Sequence, residues 1–302
     1  MAALPDTRPD PQPATAQPRQ VGAAPNVAED FPLTVIRPVS GWRSLGLHDV
    51  WEYRELFYFL TWRDLKVRYK QTVVGTAWAL LNPFVTMVVF TVFFGKLLNV
   101  QSDGAPYAIF SFSALLPWNL FSSSLTQASG SLITNQALVT KVYFPRLIIP
   151  IASTLSNVAD FLIGMVVLAG LMAYYHIVPT IWLAVLPLLV LLTMATALGA
   201  GLWLAALNAR YRDINYVVPY LVQFWFFLTP VVYSTSILPQ RFTFIYGLNP
   251  MVGVVQGFRW AILGQGDHVG PLLILSCVIV LVMLAGGLAF FKRTESILAD
   301  VL

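Results

Sequence analysis

Residues 71–95 run for 25 positions without a charged side chain, directly after a crowd of five: Arg63, Asp64, Lys66, Arg68 and Lys70. Few features constrain a fold more. A helix of that length rises about 37 Å, enough to cross the roughly 30 Å hydrocarbon core of a bilayer. Charge-free runs of the ~20 residues that a crossing needs recur along the chain. Only 11% of its 302 residues are charged and 57% are hydrophobic, whereas soluble domains carry about 25% charged residues. Lipid is therefore the expected main solvent.

The sequence predicts an all-α integral membrane protein with six transmembrane helices, at about 77–97, 107–128, 149–173, 181–206, 216–236 and 270–291. Six crossings leave both termini on one side, and the loops decide which. Eleven cations (Arg54, Arg63, Lys66, Arg68, Lys70, Lys141, Arg146, Arg210, Arg212, Lys292, Arg293) fall on the side of the termini, against three (Lys96, Arg241, Arg259) opposite. Cytoplasmic loops carry the excess of Lys and Arg, so both termini are expected in the cytoplasm.

Three segments follow. Residues 1–30 hold six prolines and no aromatic residue, and no apolar stretch in them is long enough for a signal-peptide core; they read as a disordered, Pro-rich cytoplasmic tail. Residues 31–70 form a cytoplasmic segment that carries an interfacial amphipathic helix, and 71–302 the transmembrane domain. In the interfacial helix Glu52, Glu55, Arg63, Lys66 and Lys70 share one sector, with Val50, Trp51, Phe57, Tyr58, Leu60 and Leu65 on another arc. Asp64 and Arg68 are four apart and are expected to pair.

Residues 248–264, "LNPMVGVVQGFRWAILG", are apolar but too short and interrupted to cross. They are read with residues 238–247 as a re-entrant helical pair before the last span. The competing reading is an interfacial helix anchored by Arg259 and Trp260.

Reactive groups are sparse. His48, His176 and His268 fall in separate loops on both sides of the expected membrane, and the single cysteine, Cys277, lies in the last apolar run. Neither a metal site nor an intrachain disulfide is expected. The net charge of +4 is not gathered into a basic domain with interleaved aromatics, so no nucleic acid is expected as partner. No GxxxxGK[ST] phosphate loop exists, because the one Gly-Lys pair, Gly95-Lys96, is followed by Leu97.

Asp160 is the one acidic residue expected deep in a span, where a carboxylate costs about 2.5–3.5 kcal/mol on insertion scales. It must face protein or water, and a Ser or Asn of the adjacent "STLSN" or of a neighbouring helix is the expected partner. The stretch "FSSSLTQASGS", residues 121–131, reads as close helix packing or as one wall of a wet path. Trp118, Phe121, Trp225, Phe227, Tyr233 and Tyr246 lie towards the outer half. They fit an interfacial belt or, because flat rings pack on the C–H faces of sugars, a candidate glycan path.

"WRDLKVRYKQTVVGTAWALLNPFVTMVVFTVFFG", "LLPWNLFSSSL", "LVTKVYFPRLIIP", "LWLAALNARYRDINYVVPYLVQFWFFLTPVVY" and "YGLNPMVGVVQGFRW" follow one another in the order and spacing of the membrane subunit of ABC-2 type polysaccharide exporters. The chain resembles such permeases over about residues 35–300. The resemblance implies a homodimer in the bacterial inner (plasma) membrane that binds two copies of a separate ABC ATPase and exports lipid-linked polysaccharide such as O antigen, capsule or teichoic acid polymer. It implies no catalytic site and no cofactor in this chain, ATP and Mg being bound by the partner. It also implies that residues 135–146 dock on that ATPase, through Asn135, Leu138, Lys141, Val142, Phe144 and Arg146. An ABC-2 exporter of drugs or small lipids, and an ATP-independent lipid or glycolipid flippase, are the alternatives. The latter would want coupled intramembrane charges that one buried Asp does not supply.

Overall fold

The computed structural model of the chain describes residues 51–70, 75–237, 243–264 and 269–301. The Pro-rich tail, residues 31–50 and the start of the expected re-entrant pair lie outside these. Among the described residues every regular element is a helix.

The elements are α1 (Arg54–Lys70), α2 (Gly75–Phe90) running into a π-helical turn (Thr91–Leu97), α3 (Tyr107–Thr134), α4 (Gln136–Lys141), α5 (Ile148–Ser156), α6 (Val158–Tyr174), α7 (Leu186–Arg210), α8 (Ile214–Leu228), α9 (Thr243–Gly247), α10 (Pro250–Leu263) and α11 (Val269–Val301). Four stretches are long and apolar enough to cross a membrane: Tyr107–Thr134, Ile148–Tyr174, Ile181–Arg210 and Gly270–Glu295. Leu81–Leu97 and Ile214–Leu228 are apolar but shorter. The third expected span is two helices joined at Asn157, whose amide N–H still bonds the Thr154 carbonyl. The fifth stops at Leu228 rather than 236, because Thr229 is extended (ψ 134°) ahead of Pro230, whose ring disfavours helix in the preceding residue.

α3 is the hub, with twenty of its 28 residues buried, whereas α8 buries Val218 alone. α7 lies between α3 and α11. At the second of these seams a Cβ on Gly199 would stand 3.1 Å from the Leu284 backbone nitrogen, so only glycine allows the helices to come this close. Trp203 closes the seam, stacked on Phe290 at 4.7 Å. Thr193 and Thr196 satisfy their hydroxyls locally, donating to carbonyls four residues back, each at 2.7 Å, whereas the buried Ser276 hydroxyl of α11 has no partner among the described residues.

α10 is enclosed by α3, α7 and α11, and its ends are written in the sequence. The Asn249 side chain accepts the Met251 N–H at 3.1 Å, Pro250 takes the first helical position, and Gly264 closes the helix at φ +68°.

Candidate functional site

Polar residues gather at two ends of this frame. At the end that carries α1, α4 and the last turns of α11, α1 is a half-docked helix. Leu60 is buried, and Phe57 and Leu56 pack on the cluster formed by Leu132, Val139, Phe144 and Phe291. Tyr58, Phe59 and Trp62 remain exposed, but charged and aromatic side chains mix around the helix, which lacks the two separate faces expected of an amphipathic interfacial helix.

The expected pair of Asp64 and Arg68 does not form. Asp64 is taken by its neighbour Arg63 at 2.8 Å, and Arg63 also donates to the Asn135 side chain at 2.6 Å. Arg68 reaches across to Asp160 and donates to Gln127 at 2.8 Å. Tyr69 donates to the other Asp160 oxygen, and Gln127 passes its own amide to Asn157 at 2.8 Å. Asp160 is thus held by a guanidinium and a phenol from α1, rather than by the Ser or Asn expected of it. It lies in the first turn of α6, where the helix dipole favours negative charge. Burial and the bond to Asp160 push the Tyr69 phenol up to about 12, so it remains a donor at neutral pH. Lys66 and Lys70 are exposed. Sequence reasoning missed Tyr69 and Gln127; Gln127, the one amide in the stretch 121–131, was the visible signal.

The segment 135–146 is tied at both ends. Asn135 holds Arg63, and Arg146 donates its backbone N–H to the Glu295 carboxylate at 3.3 Å and its guanidinium to the Glu295 carbonyl. Within it Phe144 is 5% exposed, a core residue where a partner-facing one was expected, and Leu138 is half-buried. Lys141, Val142 and Tyr143 point outward. Tyr143, 83% exposed, was passed over by the sequence reading.

The six aromatics of the candidate path divide. Trp118 and Phe121 are buried, with Phe121 edge-on to Trp225 at 4.9 Å, so they are packing rather than path surface in this chain. Trp225 is half-buried and donates to Asn249 at 2.9 Å. Phe227 is exposed, and the Tyr233 and Tyr246 hydroxyls share a 2.7 Å bond.

At the opposite end Arg259 is 3% exposed, so it does not anchor an interfacial helix. It donates to the Val231 carbonyl at 2.8 Å and the Tyr233 carbonyl at 3.3 Å, and lies 3.7 Å over the Phe110 ring. Tyr107 bonds the Val232 carbonyl at 2.7 Å, and Ser234 and Ser236 donate to Asp103. The loop after α8 is thereby sewn to α3 and α10.

Comparison with known proteins adds the lineage. The family described as ABC-2 type transporter matches residues 55–263. The O-antigen export system permease protein RfbA of Myxococcus xanthus is 30% identical over 253 residues, 82% of this chain and 96% of its own. RfbA of Klebsiella pneumoniae is 27% identical over 82% of this chain and 95% of its own. The polysialic acid transport protein KpsM of Escherichia coli is 23% identical over 77% of this chain and 91% of its own.

Proposed function

This chain belongs to the ABC-2 type transporter family, and from that membership we propose that it is the permease subunit of a polysaccharide exporter. Its relatives named for O-antigen export and polysialic acid transport support that substrate class over drugs or small lipids. In this reading two copies of the chain sit in the inner membrane, and each binds one copy of a separate ATPase that supplies the energy. The cargo is a lipid-linked glycan. Six crossings, with α2 and α8 as the first and fifth, leave both termini in the cytoplasm, and α9 and α10 form the re-entrant pair.

The observation that carries the coupling is the double tether of residues 135–146. Because Arg63 holds one end and Glu295 the other, a push on the outward Val142 and Tyr143 is delivered to α1 and α11 together. Work is transmitted only if the two states of the permease differ in affinity for the nucleotide-bound ATPase. The cargo then passes between two permeases, along α2 and the exposed Phe227 face of α8, with Tyr233 and Tyr246 at the outer rim.

The test is co-purification of the permease with its ATPase together with surface polysaccharide measurement. Tyr143→Asp should abolish ATPase binding and export at normal permease levels, whereas Phe144→Asp should lower the permease level itself. Normal ATPase binding by Tyr143→Asp overturns this docking site. Unchanged surface polysaccharide after deletion of the permease overturns the substrate class.

A further inference from the structure

Between residues 118 and 134 α3 leaves eight positions unburied, and seven of them are polar or glycine: Asn119, Ser122, Ser123, Thr126, Gln127, Gly130 and Thr134, with Ile133 the exception. Lipid does not select such a face. Two cavities lie end to end along it. One, about 250 Å³, is bounded by Asn82 of α2, by Asn119 and Ser123 of α3, and by Asp160 of α6. The other, about 600 Å³, is bounded by Thr126, Gly130 and Thr134, with Arg63 and Arg68 of α1 and Asn215 of α8 opposite. At 1.5 Å per residue the stretch from Asn119 to Thr134 spans about 22 Å, most of a bilayer core.

The chemistry of the walls selects an occupant. Thr126 and Thr134 spend their protons on their own helix, donating to the Ser122 carbonyl at 2.8 Å and the Gly130 carbonyl at 3.1 Å. Their outward lone pairs therefore accept. The amides of Asn82, Asn119 and Asn215 have no side-chain partner among the described residues, and an amide in a membrane without one is costly. The charges that line the groove cancel, Arg63 against Asp64 and Arg68 against Asp160. Such a surface offers an anion no net attraction, and the apolar wall that Leu116, Leu120 and Phe161 give the smaller cavity is interrupted by amides and hydroxyls that an alkyl chain would leave unpaired. The surface suits an uncharged chain rich in hydroxyls.

We propose that the unburied face of α3 is a hydrated groove that binds the hydroxyl-rich part of the cargo, and that the bridge of Arg68, Asp160 and Gln127 is its constriction. The proposal rests on the export reading above. The bridge stands where the two cavities meet, and since Arg68 belongs to α1, any shift of α1 widens or closes it.

The test uses the full chain with its ATPase in inside-out membrane vesicles, after Cys277→Ser. Ser123→Cys, Thr126→Cys and Thr134→Cys are each treated with a sulfonated, membrane-impermeant thiol reagent, and Leu281→Cys on the exposed side of α11 serves as control. Thr126→Cys and Thr134→Cys should react readily, Ser123→Cys more slowly and Leu281→Cys not at all. Adding Asp160→Asn should speed Ser123→Cys about tenfold, the factor expected when a charge-assisted hydrogen bond no longer holds the bridge. Modified Thr126→Cys should retain ATP hydrolysis and lose export.

Reaction of Ser123→Cys and Thr126→Cys only with an apolar maleimide, as for Leu281→Cys, overturns the groove. So does impermeant labelling that leaves export unchanged. A complex that exports no polysaccharide even without substitutions overturns the export reading instead, and is recognised before any reagent is added.

Discussion

Arg68 and Arg259 each use a guanidinium to tie a neighbouring segment to the same central helix, and they do so by opposite means. Arg259 is sealed in protein, with two of its donors on backbone carbonyls, its face on the Phe110 ring and its Nε–H without a partner among the described residues. Arg68 keeps a quarter of its side chain exposed and is held by Asp160, which is itself 31% exposed. Truncating a buried charged partner costs about 3–5 kcal/mol, whereas a solvated ion pair contributes about 0–1 kcal/mol. One end of the bundle is therefore built to stay closed and the other to exchange partners.

Arg259→Ala gives the largest expected effect. It removes two of the bonds that tie residues 229–237 to α10, leaving the one from Gln256 to Thr235, and should cost about 3 kcal/mol, since the carbonyls of Val231 and Tyr233 lose a charged donor. Thermal unfolding of the purified permease reads this, and an unchanged midpoint would erase the contrast between the two ends.

Asp160→Asn should lower the same midpoint by no more than the equivalent of about 1 kcal/mol. Export should nevertheless fall well below the level that any loss of protein explains, with Asp160→Glu restoring part of it. If Asp160→Asn proves as destabilising as Arg259→Ala, the bridge is a structural clamp and the comparison collapses.

Tyr69→Phe is the mildest, removing one partly solvated hydrogen bond worth about 0.5 kcal/mol, the low end for such bonds. Its pH dependence has a definite sign. The folded phenol ionises near about 12 against an ordinary 10, so its contribution is complete below pH 10 and is lost as the pH rises towards 12. Wild type and Tyr69→Phe should thus converge in stability across that alkaline window and differ by a constant amount below it.

The apolar segments, the extent of the short apolar stretch 248–264, and the outward aromatics of α1 were legible because each follows from local composition, whereas Pro250, which reads as an interruption, is the first residue of α10. The partner of Arg68 was not. Asp64 stands at the favourable i−4 position, but it bonds Arg63, and Asp160 lies 92 residues away. The competing reading of Arg259 as an interfacial anchor fails for a related reason: a cation in a short apolar helix suggests an interface unless its partners are known, and backbone carbonyls carry no signature in a sequence. At residues 142–144 hydrophobicity alone cannot say which side chain is core. Phe144 turns in to Leu60 and Phe291 while Tyr143 turns out, a choice made by the tethers on either side. The stretch 121–131 was read as either packing or path, and its residues divide between the two: Ser124, Ala128 and Ser131 face the bundle, whereas Ser123 and Thr126 are exposed.

The early stop of α8 bears on the lipid itself. Fifteen residues make a rod of about 22 Å, roughly 8 Å less than the hydrocarbon slab around it. A short rod in a thick slab is met by local thinning of the bilayer or by association with a neighbouring protein. With α8 as the proposed fifth crossing, thinning of the bilayer beside it gives a polar chain a shorter dielectric barrier to traverse there.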